Sequence, residues 1–178
     1  MAAKEMRAKL TQVRGDAGWQ PTTFLEQGMT DVKSALDVAR TFGAALEEDL
    51  RWKGALYPGD IDHFYGSAAQ RRITHYYRLD PEEEAAAWFA HWRRWIDQHG
   101  PVLIVVGVDA QFAAGAPLLS AFDIDSASFH HAAALVGYGP GGFLIRCSWG
   151  EGWGDGGYAV ATEAYLEQAN VESYGVVV

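Results

Sequence analysis

The spacing of apolar residues along the chain changes near Gly100. Before this glycine, apolar residues recur every three or four positions, which is typical of amphipathic helices. After it, they alternate or run together, which is typical of strands. We therefore predict a mainly helical part over 1–100 and a β-rich part over 101–178, within a single domain of the α+β class.

In the first part, helices are predicted over 2–13, 30–42 and 81–99. Thr30 or Asp31 can cap the second helix, because a side-chain oxygen there accepts a hydrogen bond from an unpaired backbone N–H. The third helix has the strongest signals: Asp80 is a candidate N-cap, Pro81 suits the first helical position, and Gly100 can end the helix. Its apolar stripe is interpreted as core packing, and consists of Trp88, Trp92, Trp95 and Ile96.

In the second part, strands are predicted over 102–108, 132–138, 143–148, 158–161 and 173–178, with a further short strand over 72–77. The segment 102–108 is continuously apolar and rich in β-branched residues, which favours a buried central strand. The glycine-rich turn at 139–142 predicts a hairpin between its two neighbours. The segment 112–125 has no clear period and is interpreted as a loop, and a helical turn is predicted over 164–169.

Composition and charge exclude several classes of function. The chain has 178 residues and a net charge of −9, so it would repel a phosphate backbone, and nucleic-acid binding is not expected. The longest apolar run, 102–108, is far shorter than the roughly 20 residues of a membrane helix. The single cysteine, Cys147, allows no intramolecular disulfide and favours a reducing compartment, so we expect a cytoplasmic protein. No metal-ligand or phosphate-loop motif is present, and we expect neither metal nor cofactor.

Two segments of the β-rich part carry the candidate chemistry. The first reads His131-Ala132-Ala133-Ala134-Leu135-Val136-Gly137-Tyr138-Gly139. The second reads Cys147-Ser148-Trp149-Gly150-Glu151-Gly152-Trp153-Gly154-Asp155-Gly156-Gly157-Tyr158. Together they resemble the papain-like cysteine peptidases, which have His-Ala, an apolar run and Gly-Tyr-Gly, and then Asn-Ser-Trp-Gly-x-x-Trp-Gly-x-x-Gly-Tyr at the same spacing. The likeness extends over residues from about 25 to 178 and is strongest over 131–158.

This resemblance implies a papain-like fold and assigns positions to four residues. In that family a cysteine attacks, a histidine takes its proton, and an asparagine amide orients the histidine. His131 matches the histidine, and Trp149 and Trp153 match the rings that shield the pair. Cys147 stands where the family has the asparagine, and a thiol is a weak hydrogen-bonding partner.

The nucleophile is the second departure from the family pattern. The family cysteine lies about 130–150 residues before the histidine and asparagine, which places it at or before residue 1. We therefore expect a papain-like fold truncated at its N-terminus, without the nucleophile helix and the preceding oxyanion-hole glutamine. A shorter register, in which Thr22 or Thr23 replaces the nucleophile after a lead-in over 10–16, is the weaker alternative.

Each candidate residue also has a purely structural interpretation. His131 can be a packed residue at a strand start, and Cys147 a small buried hydrophobe. Three functions stay open: a non-catalytic module for binding or assembly, a fragment of an active peptidase whose nucleophile is on another chain, and a thiol enzyme that uses Cys147 with His131 for acyl transfer. The expected partner is a protein or peptide, such as a chain supplying the missing helix or a second copy in a homo-oligomer.

The hairpin also predicts the geometry of this site. His131 and Cys147 should lie side by side on neighbouring antiparallel strands, because alternate residues share a face. We expect the Trp149 ring to cover the pair and the sulfur to be mostly buried.

Overall fold

The structure is a computed structural model that describes residues 31–46, 60–80 and 84–178. The predicted helix over 2–13 and the alternative at Thr22 or Thr23 lie outside these ranges. Backbone contacts divide the chain into two compact units, the first ending at His75 and the second covering Tyr76–Val177. The single domain over 1–178 stays a prediction.

The described part of the first unit contains two helices, α1 (Val32–Phe42) and α2 (Ile61–Ala69). Asp31 is the N-cap of α1, and its side chain accepts a 2.7 Å hydrogen bond from Ser34 N. Gly43 ends the helix with φ of 90°, and a Cβ there would lie 1.8 Å from the Ala68 carbonyl oxygen. The predicted helix and cap are confirmed, and glycine is required where the two helices approach.

The second unit is built on a sheet, and only His75, the first residue of that sheet, is assigned to the first unit. Among the described residues its strands are β1 (His75–Arg78), β2 (Val102–Val108), β3 (Leu118–Leu119), β4 (Phe129–Gly139), β5 (Gly142–Arg146), β6 (Tyr158–Ala161) and β7 (Asn170–Val177). Their order across the sheet is β1-β7-β2-β4-β5-β6-β3. The helices of this unit are α3 (Ala85–His99), α4 (Ala110–Ala114) and α5 (Glu163–Ala169), with a 3₁₀ turn at Ile124–Ser126. The predicted α+β class is confirmed.

Strand β2 lies at the centre of the sheet, antiparallel to both β7 and β4. Its burial explains the continuous apolar run, since both faces of the strand are covered. The hairpin is also confirmed: β4 and β5 pair antiparallel and turn between Gly139 and Gly142. Strand β4 begins earlier than predicted, at Phe129, because Val108 of β2 extends the pairing to that residue.

The interpretation of 112–125 as a loop is wrong. This region contains the end of α4, the 3₁₀ turn, and β3, which pairs parallel to β6. Strand β3 has two residues and α4 has five, so neither is long enough to show a period in the sequence. The helical turn predicted over 164–169 is confirmed as α5.

The start of α3 also differs from the prediction. The helix begins at Ala85, after Glu84, and has no side-chain cap. Residues 81–83 lie outside the described ranges. Asp80 does not cap α3, because its carboxylate accepts hydrogen bonds from Arg78 Nε at 2.8 Å and Asn170 Nδ2 at 2.9 Å. The other end is as predicted, at Gly100.

Helix α3 packs against the core of the second unit. Trp92 is fully buried, and its Nε1–H donates a 2.9 Å hydrogen bond to Ser173 Oγ of β7. Trp88, Trp95 and Ile96 pack against the same core, which confirms that the stripe is structural. In the described part of the chain, no helix combines the length and apolar character needed to span a membrane.

Candidate active site

His131 is positioned by the central pair of strands. It lies on β4 opposite Val106 of β2, near the end of the strand away from the hairpin turn. Ala133 and Leu135 are buried and lie on the same face of β4 as His131, because alternate residues of a strand share a face. The imidazole is therefore on the buried face of the strand. His130 is exposed, as expected for the neighbouring residue on a strand.

Cys147 directly follows β5 and continues its buried face. Phe143 and Ile145 of that face are fully buried, and Cys147 is 7% exposed. Its backbone N–H donates a 3.0 Å hydrogen bond to the carbonyl oxygen of Gly157, so the glycine-rich loop closes back onto this residue. The end of β5 and the glycine-rich loop therefore fix the position of the thiol.

The two residues meet. The Cys147 sulfur lies 3.4 Å from Nε2 of the His131 imidazole, which is hydrogen-bonding distance for sulfur. The tautomer of the imidazole decides which group donates. No hydrogen bond involves Nδ1 within the residues that the structure describes, so this nitrogen is not committed to a partner there.

Aromatic rings surround the pair. The Trp149 ring lies 4.8 Å from the His131 ring and remains 40% exposed, so it separates the imidazole from solvent on one side. Trp153 is buried, and its Nε1–H donates a 2.7 Å hydrogen bond to the Phe112 carbonyl oxygen. The structure thus brings together the four residues that the sequence singled out.

Phe112 also belongs to this cluster, although the sequence did not predict it. Its ring lies 5.8 Å from His131, 5.4 Å from Trp149 and 4.8 Å from Trp153. Asp109 orients it, since this carboxylate caps α4 by accepting a hydrogen bond from Phe112 N at 2.9 Å. An aspartate directly after the predicted strand 102–108 is an N-cap signal that could have revealed the short helix.

Glycines let the loop fold over the site. Gly154 has φ of 61°, and a Cβ there would lie 2.1 Å from the Tyr158 carbonyl oxygen. Gly150, directly after Trp149, also has positive φ, at 95°. Side chains at these positions would oppose the turns that place Trp149 against His131 and Trp153 against Phe112.

Burial favours the neutral forms of both groups. Desolvation raises the pKa of the Cys147 thiol above its ordinary value, opposed in part by the backbone N–H groups of Trp149 and Ser148. Desolvation also lowers the pKa of the His131 imidazole. An ion pair between thiolate and imidazolium is therefore disfavoured. Within the described residues, no group of three or more His, Cys, Asp or Glu side chains is placed to bind a metal ion.

The fold and the site define a class of protein: a thiol-peptidase-like domain with its histidine on a central antiparallel strand. The sequence profile of the papain family cysteine proteases matches residues 33–178. The chain therefore belongs to the papain family. Papain from Carica papaya is 48% identical over 46 residues, which are 26% of this chain and 12% of the papain sequence.

Solved structures of cysteine proteases share the fold. Xylellain, a cysteine protease from Xylella fastidiosa, superposes with a TM-score of 0.67 at 18% identity, over 83% of this chain and 61% of that one. The cysteine protease CMS1MS2 from Carica candamarcensis superposes with a TM-score of 0.57 at 23% identity, over 81% of this chain and 66% of that one. The chain thus spans less than two thirds of each, and the expected papain-like fold is confirmed.

Proposed function

We propose that this papain-family chain does not hydrolyse peptides by itself and acts as a module that binds or assembles with a protein partner. One observation carries the proposal. Cys147, the single cysteine among the 178 residues, occupies the family's asparagine position and lies 3.4 Å from the catalytic-type histidine. The cysteine that is present therefore stands in the place of the orienting amide.

Cys147 is poorly suited to act as a nucleophile. The thiolate is the reactive form, and burial raises the pKa of this thiol. The sulfur also lies under the loop, with 7% of the residue exposed, so a peptide carbonyl has little access to it. The neighbouring imidazole is itself desolvated and does not offer the positive charge that would stabilise a thiolate.

Cys147 is also poorly suited to orient the histidine for another nucleophile. An asparagine amide offers a strong acceptor and two donors, whereas a thiol is weak in both roles. Residues of such a site act as a unit, so loss of one member removes most of the rate enhancement. A non-catalytic protein can still need Trp149, Trp153 and the buried face of β4, because these features contribute to its stability.

A nucleophile on another polypeptide is the second candidate function. The observation that favours it is the uncommitted Nδ1 of His131, since the thiol contacts only Nε2 within the described residues. A cysteine delivered to Nδ1 would meet an imidazole whose opposite nitrogen is already contacted, as in the family arrangement. The required partner would be a segment that carries that cysteine.

Thiol chemistry at Cys147 is the third candidate, favoured by its contact with a base. In an acyl transfer the imidazole would take the thiol proton, the sulfur would bond to the acyl carbon, and the donor's leaving group would depart with a proton. The desolvation of both groups makes this the least supported of the three.

Hydrolysis of fluorogenic peptides by the purified chain tests the proposal, with Cys147→Ala and His131→Ala as variants. For the wild-type chain and for both variants, we expect no peptide hydrolysis above the rate measured without protein. Turnover that both variants lose would establish Cys147 as a nucleophile. A different pattern would place the nucleophile on a copurifying chain. In that case turnover would be lost in His131→Ala, kept in Cys147→Ala and raised in a third variant, Cys147→Asn. Either result would overturn the non-catalytic assignment.

A further inference from the structure

We propose that a pocket between α3, β1 and the end of β7 binds a small aromatic carboxylate. The pocket has a volume of about 530 Å³ and lies within the second unit. This is the size of an ordinary small-molecule site, which is roughly 300–1,000 Å³. None of the residues that line it belongs to the cluster around His131 and Cys147, so the inference is independent of the proposed function.

The wall of the pocket is apolar and aromatic. The Trp95 and Tyr77 rings lie 5.9 Å apart and are inclined at 54°, and Leu79 and Val177 complete the apolar surface. The position of Trp95 depends on Gly175 of β7, since a Cβ there would lie 2.3 Å from the indole Cε2. The His99 ring also packs on this indole, with the two ring centroids 4.4 Å apart, so a flat ligand ring would meet the Tyr77 ring and the edge of Trp95.

Two arginines give the rim of the pocket its positive charge. Arg78, Arg94, His91 and His99 line it, and no aspartate or glutamate does. Arg94 is exposed and makes no hydrogen bond or ion pair within the described part of the chain. Arg78 is paired with Asp80, but its side chain remains 54% exposed. In a chain with a net charge of −9, this local excess of positive charge points to an anionic ligand.

A carboxylate suits this rim, because its two oxygens match the planar guanidinium of Arg94. An aromatic body with one carboxylate therefore satisfies the wall and the rim together.

Titration of the ¹⁵N-labelled full chain with 3-phenylpropionate, followed by the indole N–H resonances, tests the proposal. The resonance that disappears in Trp95→Phe identifies Trp95. We expect this resonance to shift on titration with a Kd of about 1 mM, which suits a ligand of this size. The neutral amide 3-phenylpropanamide has the same body without the charge, and we expect it to bind about tenfold more weakly.

Two charge variants separate the pocket from the general surface. Arg94→Gln should weaken 3-phenylpropionate binding about tenfold, with little effect on the amide. Arg146→Gln removes an exposed arginine of β5, outside the pocket, and should leave both affinities unchanged. The proposal would be overturned by any of three results. These are equal affinities for 3-phenylpropionate and 3-phenylpropanamide, equal effects of Arg94→Gln and Arg146→Gln on binding, or no shift of the Trp95 resonance. The thermal unfolding temperature of each variant shows whether it is folded.

Discussion

The sulfur of Cys147 lies 3.4 Å from Nε2 of His131, so the thiol and the imidazole are within hydrogen-bonding distance for sulfur. Both groups are desolvated, which raises the pKa of the thiol and lowers that of the imidazole. The contact is therefore one between two neutral groups. This relationship determines how the thiol should react and how stability should depend on pH.

Cys147 should react slowly with a thiol reagent in the native protein. Its thiolate is disfavoured by burial, and the Trp149 ring packs against its histidine partner. We expect labelling by 5,5′-dithiobis(2-nitrobenzoate) to be at least about tenfold slower in buffer than in the urea-unfolded chain. Trp149→Ala should speed up the native reaction by opening one side of the site.

The control for this experiment is Tyr77→Ala, which removes another half-exposed aromatic ring from a different part of the second unit. It should leave the labelling rate unchanged. Rapid stoichiometric labelling of the native wild-type chain would contradict the prediction and favour Cys147 as a working nucleophile.

His131 should make the protein less stable at acidic pH. Its pKa is lowered in the folded state, so the unfolded chain, with an ordinary histidine pKa of about 6.5, binds the proton more readily. The stability that this effect contributes is complete above about pH 6.5 and is lost as the pH falls through the lowered folded pKa. Urea denaturation gives the free energy of unfolding at each pH from about 8 to 5. The slope of this free energy against pH should be smaller in His131→Gln than in the wild type.

The neighbouring residue provides the matched control for the pH experiment. His130→Gln alters the adjacent histidine, whose side chain is exposed on the other face of β4. Its slope should equal that of the wild type. If His131→Gln and His130→Gln reduce the slope equally, the slope does not come from burial of His131.

Asp109 should contribute more to the stability of the protein than either Cys147 or His131. It is 1% exposed, and its carboxylate accepts hydrogen bonds from Phe112 N, Tyr165 Oη and Asp123 N. Asp109→Ala leaves these donors without an acceptor, which we expect to cost about 3 kcal/mol of unfolding free energy in urea denaturation. The exposed Asp125→Ala should change it by less than about 0.5 kcal/mol. Equal effects of the two variants would refute this role.

Much of the second unit could be predicted because its central elements are long enough to show a pattern. Strand β2 is buried on both faces and appears as an apolar run, and the turn between β4 and β5 has its glycines. The adjacency of His131 and Cys147 follows from this hairpin, since residues on one face of paired strands meet.

The rest depends on contacts that distant parts of the chain make. Asp80 has the sequence features of a helix cap, yet Asn170, 90 positions away, competes for its carboxylate. Helix α4 has too few residues for a period, and Phe112 joins the site through the cap that Asp109 provides. The pocket beside Trp95 is likewise assembled from α3, β1 and β7, and no local motif encodes it.

Gly175 should be required for the packing of α3 on β7, and its replacement by alanine tests this. A Cβ at Gly175 would lie 2.3 Å from Cε2 of the Trp95 indole, and the ring cannot yield without leaving the wall of the pocket. Overpacking of this kind costs about 1–3 kcal/mol, which urea denaturation should detect in Gly175→Ala. Gly137→Ala is the matched control on β4, where a Cβ has no neighbour within 4 Å. A loss of stability in Gly137→Ala as large as that in Gly175→Ala would mean that removal of strand glycines, and not the contact with Trp95, causes the effect.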